Sequence, residues 1–554
     1  MNTKIIIKAG IIAFILFLWV ACGKKTSSID TPPYMYHISD NAEPMKEGKF
    51  EPTWESLQQY EVPEWFCDAK FGMWTHWGPQ CQPERGDWYA RGMYDEGSWQ
   101  YKAHIEQYGH PSVFGFKDVI NVWKAEKWDP EKIVELYKKA GARYFVAMAN
   151  HHDNMDLWDS KYQPWNSVNM GPGRDIIGEY EKAARANGLP FGVSFHAAHA
   201  WLFYEPAQSA DTSGELKGVP YDGKVTKEDG VGTWWEGYDP QDLYAQNHAV
   251  SPEKNISKNW HWTNKEGTVF PDSQYVENIH NRIFDLINKY KPDLLYFDDT
   301  VLPLYPISDG SLKTAAHLYN SSMEWNGGEN KAVITGKVLT EDYQKKAMVW
   351  DIEKGTPNSI QENPWQVCTC IGSWHYEIGV YNDNRYKSAE SVIRQLVDVV
   401  SKNGNLLLNI PMKGDGSFDE KALAIVDNIG KWMDINGEGI YATRPWRVFG
   451  EGPDAETVIN LDAQGFNEGR INNFTEKDVR YTSKKDIVYA FVMGYNQEPF
   501  TLKSFTRKDK VKSVTALGTT EKIKWSLNEE GLEIQPFETD LLPIAPVCYK
   551  IVLK

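Results

Sequence analysis

Cysteine is scarce: the 554-residue chain carries six. Cys22 ends an N-terminal apolar run, and the five that remain (Cys67, Cys81, Cys368, Cys370 and Cys548) are an odd number, which argues against a disulfide framework. Cys368 and Cys370 are separated by one residue, which is not a zinc spacing, and they read as small buried apolar residues. A basic cluster is also missing. With 59 Lys and Arg against 76 Asp and Glu, the formal net charge is −17, and such a surface repels nucleic acid. No apolar run of membrane-spanning length follows the first twenty residues, so the rest reads as a soluble chain. Its 24% charged and 41% hydrophobic residues are the balance of a globular protein, and the length suits two folded domains behind an export segment.

That segment is legible. Lys4 and Lys8 precede a charge-free run from Ala9 to Val20, too short to span a bilayer and suited to a signal-peptide core. It ends Val20-Ala21-Cys22-Gly23, small residues before a lone Cys, as in a bacterial lipobox. Residues 1–22 are therefore expected to be a lipoprotein-type signal peptide with Cys22 lipidated, and an uncleaved membrane anchor is the alternative. Residues 23–50, polar and carrying Pro32 and Pro33, suit a tether. The expected location is that of an exported bacterial lipoprotein, in the periplasm or at the outer membrane, touching the membrane only through its lipid.

From 51 to 446 a helix-then-strand unit recurs. Asp129-Pro130 offers an N-cap and a first-turn proline, and Ile133, Val134, Leu136, Tyr137 and Ala140 mark one helical face before Gly141. The apolar run from Arg143 to Ala149 follows as a buried strand. Further units pair a helix from Asp175 to Gly188 with a strand at Phe191–Phe195, and a helix from Tyr275 to Tyr290 with a strand at Leu294–Phe297. A last one pairs Ser391–Ser401 with Asn405–Ile410. Short runs at Ala332–Ile334 and Met348–Trp350 add two candidate strands. This alternation predicts an α/β fold, a closed (β/α) barrel, with a doubly wound open sheet as the other arrangement. From 447 to 554 the segments become short, β-branched and aromatic, as in Asp486–Met493, Val511–Leu517 and Cys548–Leu553, which predicts an antiparallel β-sandwich.

In a barrel, chemistry gathers at the C-terminal ends of the strands. Five proposed strands run into polar residues there: His76-Trp77-Gly78, Asn150-His151-His152-Asp153, His196 through His199, Asp298-Asp299-Thr300 and Asp351-Ile352-Glu353. A single histidine at a strand end is usually structural, but five such ends point to a shared site. His151 and His152 are adjacent and point opposite ways along a strand, and no His-Glu-x-x-His pattern exists, so a metal is not expected. No Gly-x-Ser-x-Gly elbow ends a strand either. What remains is a pair of carboxylates on different strands among histidines and tryptophans, a glycosidase pattern. The 23 Trp suit stacking on the C–H faces of sugars, although a large aromatic core accounts for them equally well.

At these residues the chain resembles glycoside hydrolase family twenty-nine, the α-L-fucosidases, over roughly 52–446. The matching motifs run in order. They are Lys70-Phe71-Gly72-Met73-Trp74-Thr75-His76-Trp77-Gly78; Asp87-Trp88-Tyr89, with Asp for the usual Glu; and His151-His152-Asp153-Asn154, with Asn for Gly. Leu157-Trp158, Ser160-Lys161-Tyr162 and Gly171-Pro172-Gly173-Arg174-Asp175 follow, then Asn403 to Ile410, Asn436-Gly437-Glu438, Ile440-Tyr441 and Thr443-Arg444-Pro445-Trp446. The resemblance implies a retaining enzyme that needs no cofactor or metal and acts on fucosylated or related L-sugar oligosaccharides. It implies Asp298 as nucleophile and Glu353 as acid/base, with Glu362 and Glu377 as rivals for the second role. His76, Trp88, His151 and His152 match sugar-binding positions, and Asp87, His199 and Lys337 join them as candidates. Lys337 stands near a family Arg and lacks its bidentate geometry. Together with Asp87 it leaves α-L-galactoside hydrolysis as an alternative activity, and a catalytically silent sugar-binding protein as another.

Overall fold

Asp129 begins the clearest outer helix, Pro130–Lys139, by accepting a hydrogen bond from the Lys132 N–H at 3.1 Å. Ile133, Val134 and Tyr137 are buried on one face, and Gly141 stops the helix at a positive φ of 100°. The helices Ile176–Ala186, Ser273–Tyr290 and Ala389–Ser401 are capped in the same way by Asp175, Asp272 and Ser388. A computed structural model describes residues 33–246, 248–252, 262, 269–458, 461, 466–537 and 545–554.

Eight parallel strands close into a barrel: β1 Phe71–Thr75, β2 Tyr144–Met148, β3 Phe191–Phe195, β4 Leu294–Phe297, β5 Val333–Gly336, β6 Val349–Glu353, β7 Trp365–Cys370 and β8 Gly404–Asn409. β8 pairs back onto β1 with Phe71 opposite Leu406 and Met73 opposite Leu408, so the sheet has no edge and the open-sheet alternative falls. Trp74, Tyr144, Leu294, Tyr296, Val333, Val349, Cys368 and Leu407 form one buried cluster. On β3 the crowding leaves room only for Gly192, where an added Cβ would lie 3.0 Å from Val146 and 3.1 Å from Leu294.

Residues 34–50, expected as tether, instead run along the outside of the barrel. The backbone N–H groups of Ile38, Glu43 and Phe50 donate to Asp309, Asn281 and Asn320 at 2.9, 2.7 and 2.9 Å, and Phe50 is buried. The signal-peptide segment 1–22 and Cys22 lie outside the described residues. The other five cysteines are unpaired, and all but Cys67 are buried.

The C-terminal sheet starts with β9, Arg444–Glu451, so the Arg444-Pro445-Trp446 end of the last family motif belongs to a sheet strand. Five strands pair antiparallel in the order β13-β16-β11-β10-β9, with β10 Val479–Lys484, β11 Ile487–Val492, β13 Val511–Ala516 and β16 Val547–Leu553. Three short ones, β12 Phe500–Leu502, β14 Trp525–Leu527 and β15 Leu532–Ile534, make the second sheet. Side chains of both sheets, among them Tyr481, Val488, Leu502, Val514, Leu532 and Ile551, share one core.

A buried charge network joins this sandwich to the barrel. Arg480 on β10 donates from Nε to Asp398 of the helix Ala389–Ser401 at 2.6 Å, from Nη2 to Asp454 and from Nη1 to the Val479 carbonyl at 3.1 Å. Lys402 and Thr356 also donate to Asp398, at 2.8 and 3.2 Å. Asp398, Lys402 and Arg480 have fully buried side chains, so removing the shared carboxylate takes a buried counter-charge from both cations. Asp398→Ala is expected to destabilise the fold by about 3–5 kcal/mol, read as a lower denaturant midpoint. An unchanged midpoint would mean that the network is not load-sharing across the interface.

Candidate active site

The polar strand ends converge. Asp298, the residue after β4, lies one-fifth exposed at the mouth of the barrel. Its Oδ1 accepts from the Lys337 ammonium at 2.5 Å, and Oδ2 faces His196 Nδ1 at 3.2 Å and His152 Nε2 at 3.3 Å. Lys337, just beyond β5, donates to Glu353 Oε2 at 2.6 Å as well, so one ammonium bridges two carboxylates from different strands. Glu353 ends β6, and its other oxygen accepts from the Trp374 indole at 3.1 Å. Burial works against charge on Asp298, but Lys337 and the His152 and His196 hydrogen bonds override it and hold the carboxyl well below the usual carboxylate range. Burial works against charge on Lys337 too, and the facing Asp298 and Glu353 raise it well above an ordinary lysine. The three therefore sit as an ionised nucleophile-type carboxylate, a fixed cation and a second carboxylate.

The neighbouring Asp299 turns the other way. It is buried, caps the Thr300 N–H at 2.8 Å and lies 3.3 Å from His199. Successive side chains leave a strand on opposite sides, which is why only one member of the Asp298-Asp299 pair meets Lys337. His199, expected to touch substrate, is fully buried and stacks on Trp262 with ring centroids 5.0 Å apart. The histidine that reaches the carboxylate is His196: it directly follows β3, while His199 lies a turn farther on, in the short helix Ala197–His199.

His76, His151 and His196 are packed ring to ring, with centroids 5.0 to 5.1 Å apart. Burial holds all three below the ordinary histidine value, His196 at about 4, so they are neutral hydrogen-bonding groups. The Ala90 N–H donates to Gln80 Oε1 at 3.3 Å, which orients the amide so that Nε2 donates to His151 Nδ1 at 2.8 Å. His151 Nε2 must then carry the proton, which makes it a donor to a ligand oxygen. His152 Nδ1 donates to the His196 carbonyl at 2.8 Å, and this aims its Nε2 at Asp298. Neither ring nitrogen of the buried His76 has a hydrogen-bond partner among the described residues. Ring nitrogens of His76, His151 and His375, and of His151, His152 and His196, lie within 4.8 Å of one another, sets that could also take a metal ion. The tautomer of His151 favours a hydroxyl-bearing ligand over a metal, which needs a lone pair from each ring.

Trp88, in the left-handed region at φ 59°, presents its ring edge-on to His152 at 6.0 Å and to Phe203 at 5.7 Å. Asp87 sits at the rim, where its oxygens accept the backbone N–H groups of His375 and Trp374 at 2.6 and 3.2 Å. It thus pins the loop that brings Trp374 to Glu353. Asn154, where the family motif has Gly, takes a positive φ of 65°, which Asn tolerates best after Gly. Its carboxamide donates to the Asp242 and Leu243 carbonyls and accepts from buried Arg282. Glu362 is exposed on the segment leading into β7, at the opposite end of the barrel from Asp298, and Glu377 is held by Ser373 and Arg385. Of the three candidate acids, only Glu353 meets the Asp298 cluster.

Two carboxylates bridged by a cation, neutral histidine donors and an indole wall at the open end of a (β/α) barrel define a carbohydrate-processing hydrolase site. Residues 37–438 match the model of the family described as alpha-L-fucosidase, and 471–547 match the alpha-L-fucosidase C-terminal domain. The chain belongs to the α-L-fucosidase family of glycoside hydrolases. It is 27% identical to the tissue alpha-L-fucosidase of Bos taurus over 518 residues, covering 90% of this chain and 89% of that one. With that of Homo sapiens it shares 27% over 502 residues, covering 88% and 87%. Among solved structures, the alpha-fucosidase of Thermotoga maritima in complex with a mechanism-based inhibitor superposes with a TM-score of 0.66 at 23% identity, covering 91% of this chain and 100% of that one. An alpha-L-fucosidase from Bacteroides thetaiotaomicron gives 0.56 at 19%, covering 94% and 100%.

Proposed function

We propose that this chain is a retaining exo-glycosidase that removes terminal α-L-fucosyl residues from oligosaccharides or glycoconjugates by double displacement, with Asp298 as nucleophile and Glu353 as acid/base. The observation that carries this is the bridge at Lys337. Its ammonium lies 2.5 Å from Asp298 and 2.6 Å from Glu353, so their nearest oxygens are no farther apart than those two distances combined. That suits the roughly 5–5.5 Å of retaining enzymes and is too short for the water of an inverting one. The Bacteroides thetaiotaomicron relative is described as a trapped covalent intermediate formed with 2-fluoro-fucosyl fluoride, the species such a mechanism passes through.

In this reading Asp298 attacks the anomeric carbon and forms a glycosyl ester, while Glu353 gives a proton to the departing oxygen. Lys337 opposes a proton on Glu353, so the incoming glycosidic oxygen takes the place of the ammonium there, and Lys337 stays on Asp298 and keeps it ionised. Glu353 then removes a proton from the water that hydrolyses the ester. His76, His151 and His152 hydrogen-bond the sugar hydroxyls, and those bonds strengthen as positive charge develops on the ring.

A second reading, α-L-galactoside hydrolysis, is favoured by Asp87, which is short and engaged by two backbone N–H groups, and by Lys337. The deciding measurement is kcat/KM on paired aryl α-L-fucoside and α-L-galactoside. We expect the fucoside to be preferred by about 10-fold or more, the scale of one methyl-sized group in a pocket. Preference for the galactoside reverses the assignment, and cleavage of neither defeats both.

The location is proposed from sequence alone: an exported lipoprotein held at Cys22. No helix among the described residues is long and apolar enough to cross a membrane. Cys22→Ser is expected to move the protein from the membrane to the soluble fraction. Membrane retention of that variant would instead indicate an uncleaved N-terminal anchor.

A further inference from the structure

Three asparagines stand in residues 403–410, and two of them serve the fold at the N-terminal end of β8. Asn403 turns the chain at a positive φ of 74°, and the Asn405 amide donates to the Phe66 carbonyl at 2.7 Å. Asn409 ends β8 at the mouth of the barrel, in register with Trp74 of β1 and Cys370 of β7, and is fully buried. Its side chain ties the two neighbouring strand ends together. Oδ1 accepts the His76 N–H at 2.8 Å, and Nδ2 donates to the Trp374 carbonyl at 2.9 Å. A backbone N–H can only donate and a carbonyl can only accept, so the orientation of the amide is fixed and both its halves are used. Aspartate would lack the donor, and leucine would lack both groups.

The backbone of Trp374 is thereby held from two sides: Asp87, on the loop after β1, accepts its N–H at 3.2 Å, and Asn409 grips its carbonyl. The half-buried indole lies against Trp74 and His76, with ring centroids 5.2 and 5.5 Å away, and the Lys354 ammonium stands 5.1 Å over it. So placed, its Nε1 donates to Glu353 Oε1 at 3.1 Å, while Lys337 donates to Oε2 at 2.6 Å. Once a glycosidic oxygen takes the place of the ammonium at Oε2, the indole still holds the carboxyl by Oε1. That hold matters for rate, because a misplacement of about 1 Å in a reacting group can cost on the order of 100-fold.

We infer that Asn409 is a positioning residue for the reaction, setting the carboxyl of Glu353 through the backbone and indole of Trp374. This rests on the reading of Glu353 as the acid of an α-L-fucoside hydrolase. Two variants and their combination test it. Trp374→Phe keeps a ring in place and removes its N–H. Asn409→Asp keeps the size and the acceptor for His76, and loses the donor to Trp374. A misplaced acid harms only leaving groups that need a proton. For Trp374→Phe, kcat/KM on a fucosylated oligosaccharide is therefore expected to fall about 10-fold, while on an aryl α-L-fucoside with a strongly electron-withdrawing ring it changes less than about 2-fold. Asn409→Asp is expected to show the same split. The double variant should be no more than about 2-fold worse than the poorer single one, because both changes break one chain of contacts. Equal losses on the two substrates, which a merely structural role would give, overturn the inference, and so do losses that multiply in the double variant. If Asn409→Asp fails to fold, Trp374→Phe still decides, since the absence of a split there leaves Asn409 nothing to act through. Glu353→Ala is the reference: if it shows no split either, or if the wild-type protein cleaves no α-L-fucoside, the reading of the site is at fault, whereas a split in Glu353→Ala without one in Trp374→Phe counts against the positioning role alone.

Discussion

Asp298→Ala is expected to lower kcat/KM by at least about 10⁴-fold, roughly 5.5 kcal/mol of transition-state stabilisation, on every glycoside tested. The carboxylate is held ionised by Lys337 at 2.5 Å and by two histidines, and it occupies the mouth of the barrel from which a sugar enters. Alanine removes the attacking oxygen and leaves Lys337 still paired with Glu353, so no neighbouring group replaces it. Burial holds His196 at about 4, so it is neutral at working pH, and its Nδ1, aimed at Asp298, becomes a donor without an acceptor. Azide is small enough for the vacated space. It should restore part of the activity on an activated aryl glycoside and yield a glycosyl azide of inverted configuration, since it attacks from the side opposite the leaving group. Asp299→Ala is the control. Asp299 is turned into the protein against His199, so its loss should affect stability before chemistry. If Asp299→Ala loses turnover while Asp298→Ala keeps it, the assignment is off by one residue.

The barrel was legible because its strands are apolar runs set between capped helices, and β2, β3, β4 and β8 fall where the runs stand. β7 was not legible as a strand. Its Trp-Gln-Val-Cys-Thr-Cys sequence has buried polar residues, and Gln366 is tolerated inside only because it donates to Asp351 at 2.8 Å and accepts from the Tyr144 hydroxyl at 2.9 Å. Such pairing is a tertiary fact with no local trace. The site divides the same way. Asp298, Glu353, His76, His151 and His152 stand at or just past strand ends, where position along the chain predicts position in the barrel. Trp374, His375 and Gln80 arrive on loops, and nothing in spacing announces them. His196 and His199 both follow β3, and the helical turn after His196 swings His199 into the protein, a difference that spacing along the chain does not show. Residues 34–50 misled by composition, because their polarity hides the few apolar anchors, Ile38 and Phe50, that seat them on the barrel.

Glu353→Ala is expected to divide substrates by leaving group. Natural glycosides depart as poorly stabilised alkoxides and need a proton, so their kcat/KM should fall by about 10²–10⁴-fold, the usual worth of a general acid. An aryl glycoside with a strongly electron-withdrawing ring departs unprotonated, and its first step should slow by less than about 10-fold. Its second step, however, needs a base to activate water, so the glycosyl ester should accumulate and appear as a burst of aryl product. Azide needs no base. It should accelerate the second step and give a glycosyl azide of retained configuration, the opposite stereochemistry to that expected with Asp298→Ala. The variant also frees one side of the Lys337 ammonium, which then rests on Asp298 alone, and this keeps the nucleophile ionised while the acid is absent. The split between substrates therefore reports proton transfer and not a general loss of the site. An equal and small effect on both substrate types would remove Glu353 from the mechanism. Glu377, on the same face of the barrel but held by Ser373 and Arg385, would then be the next acid to replace.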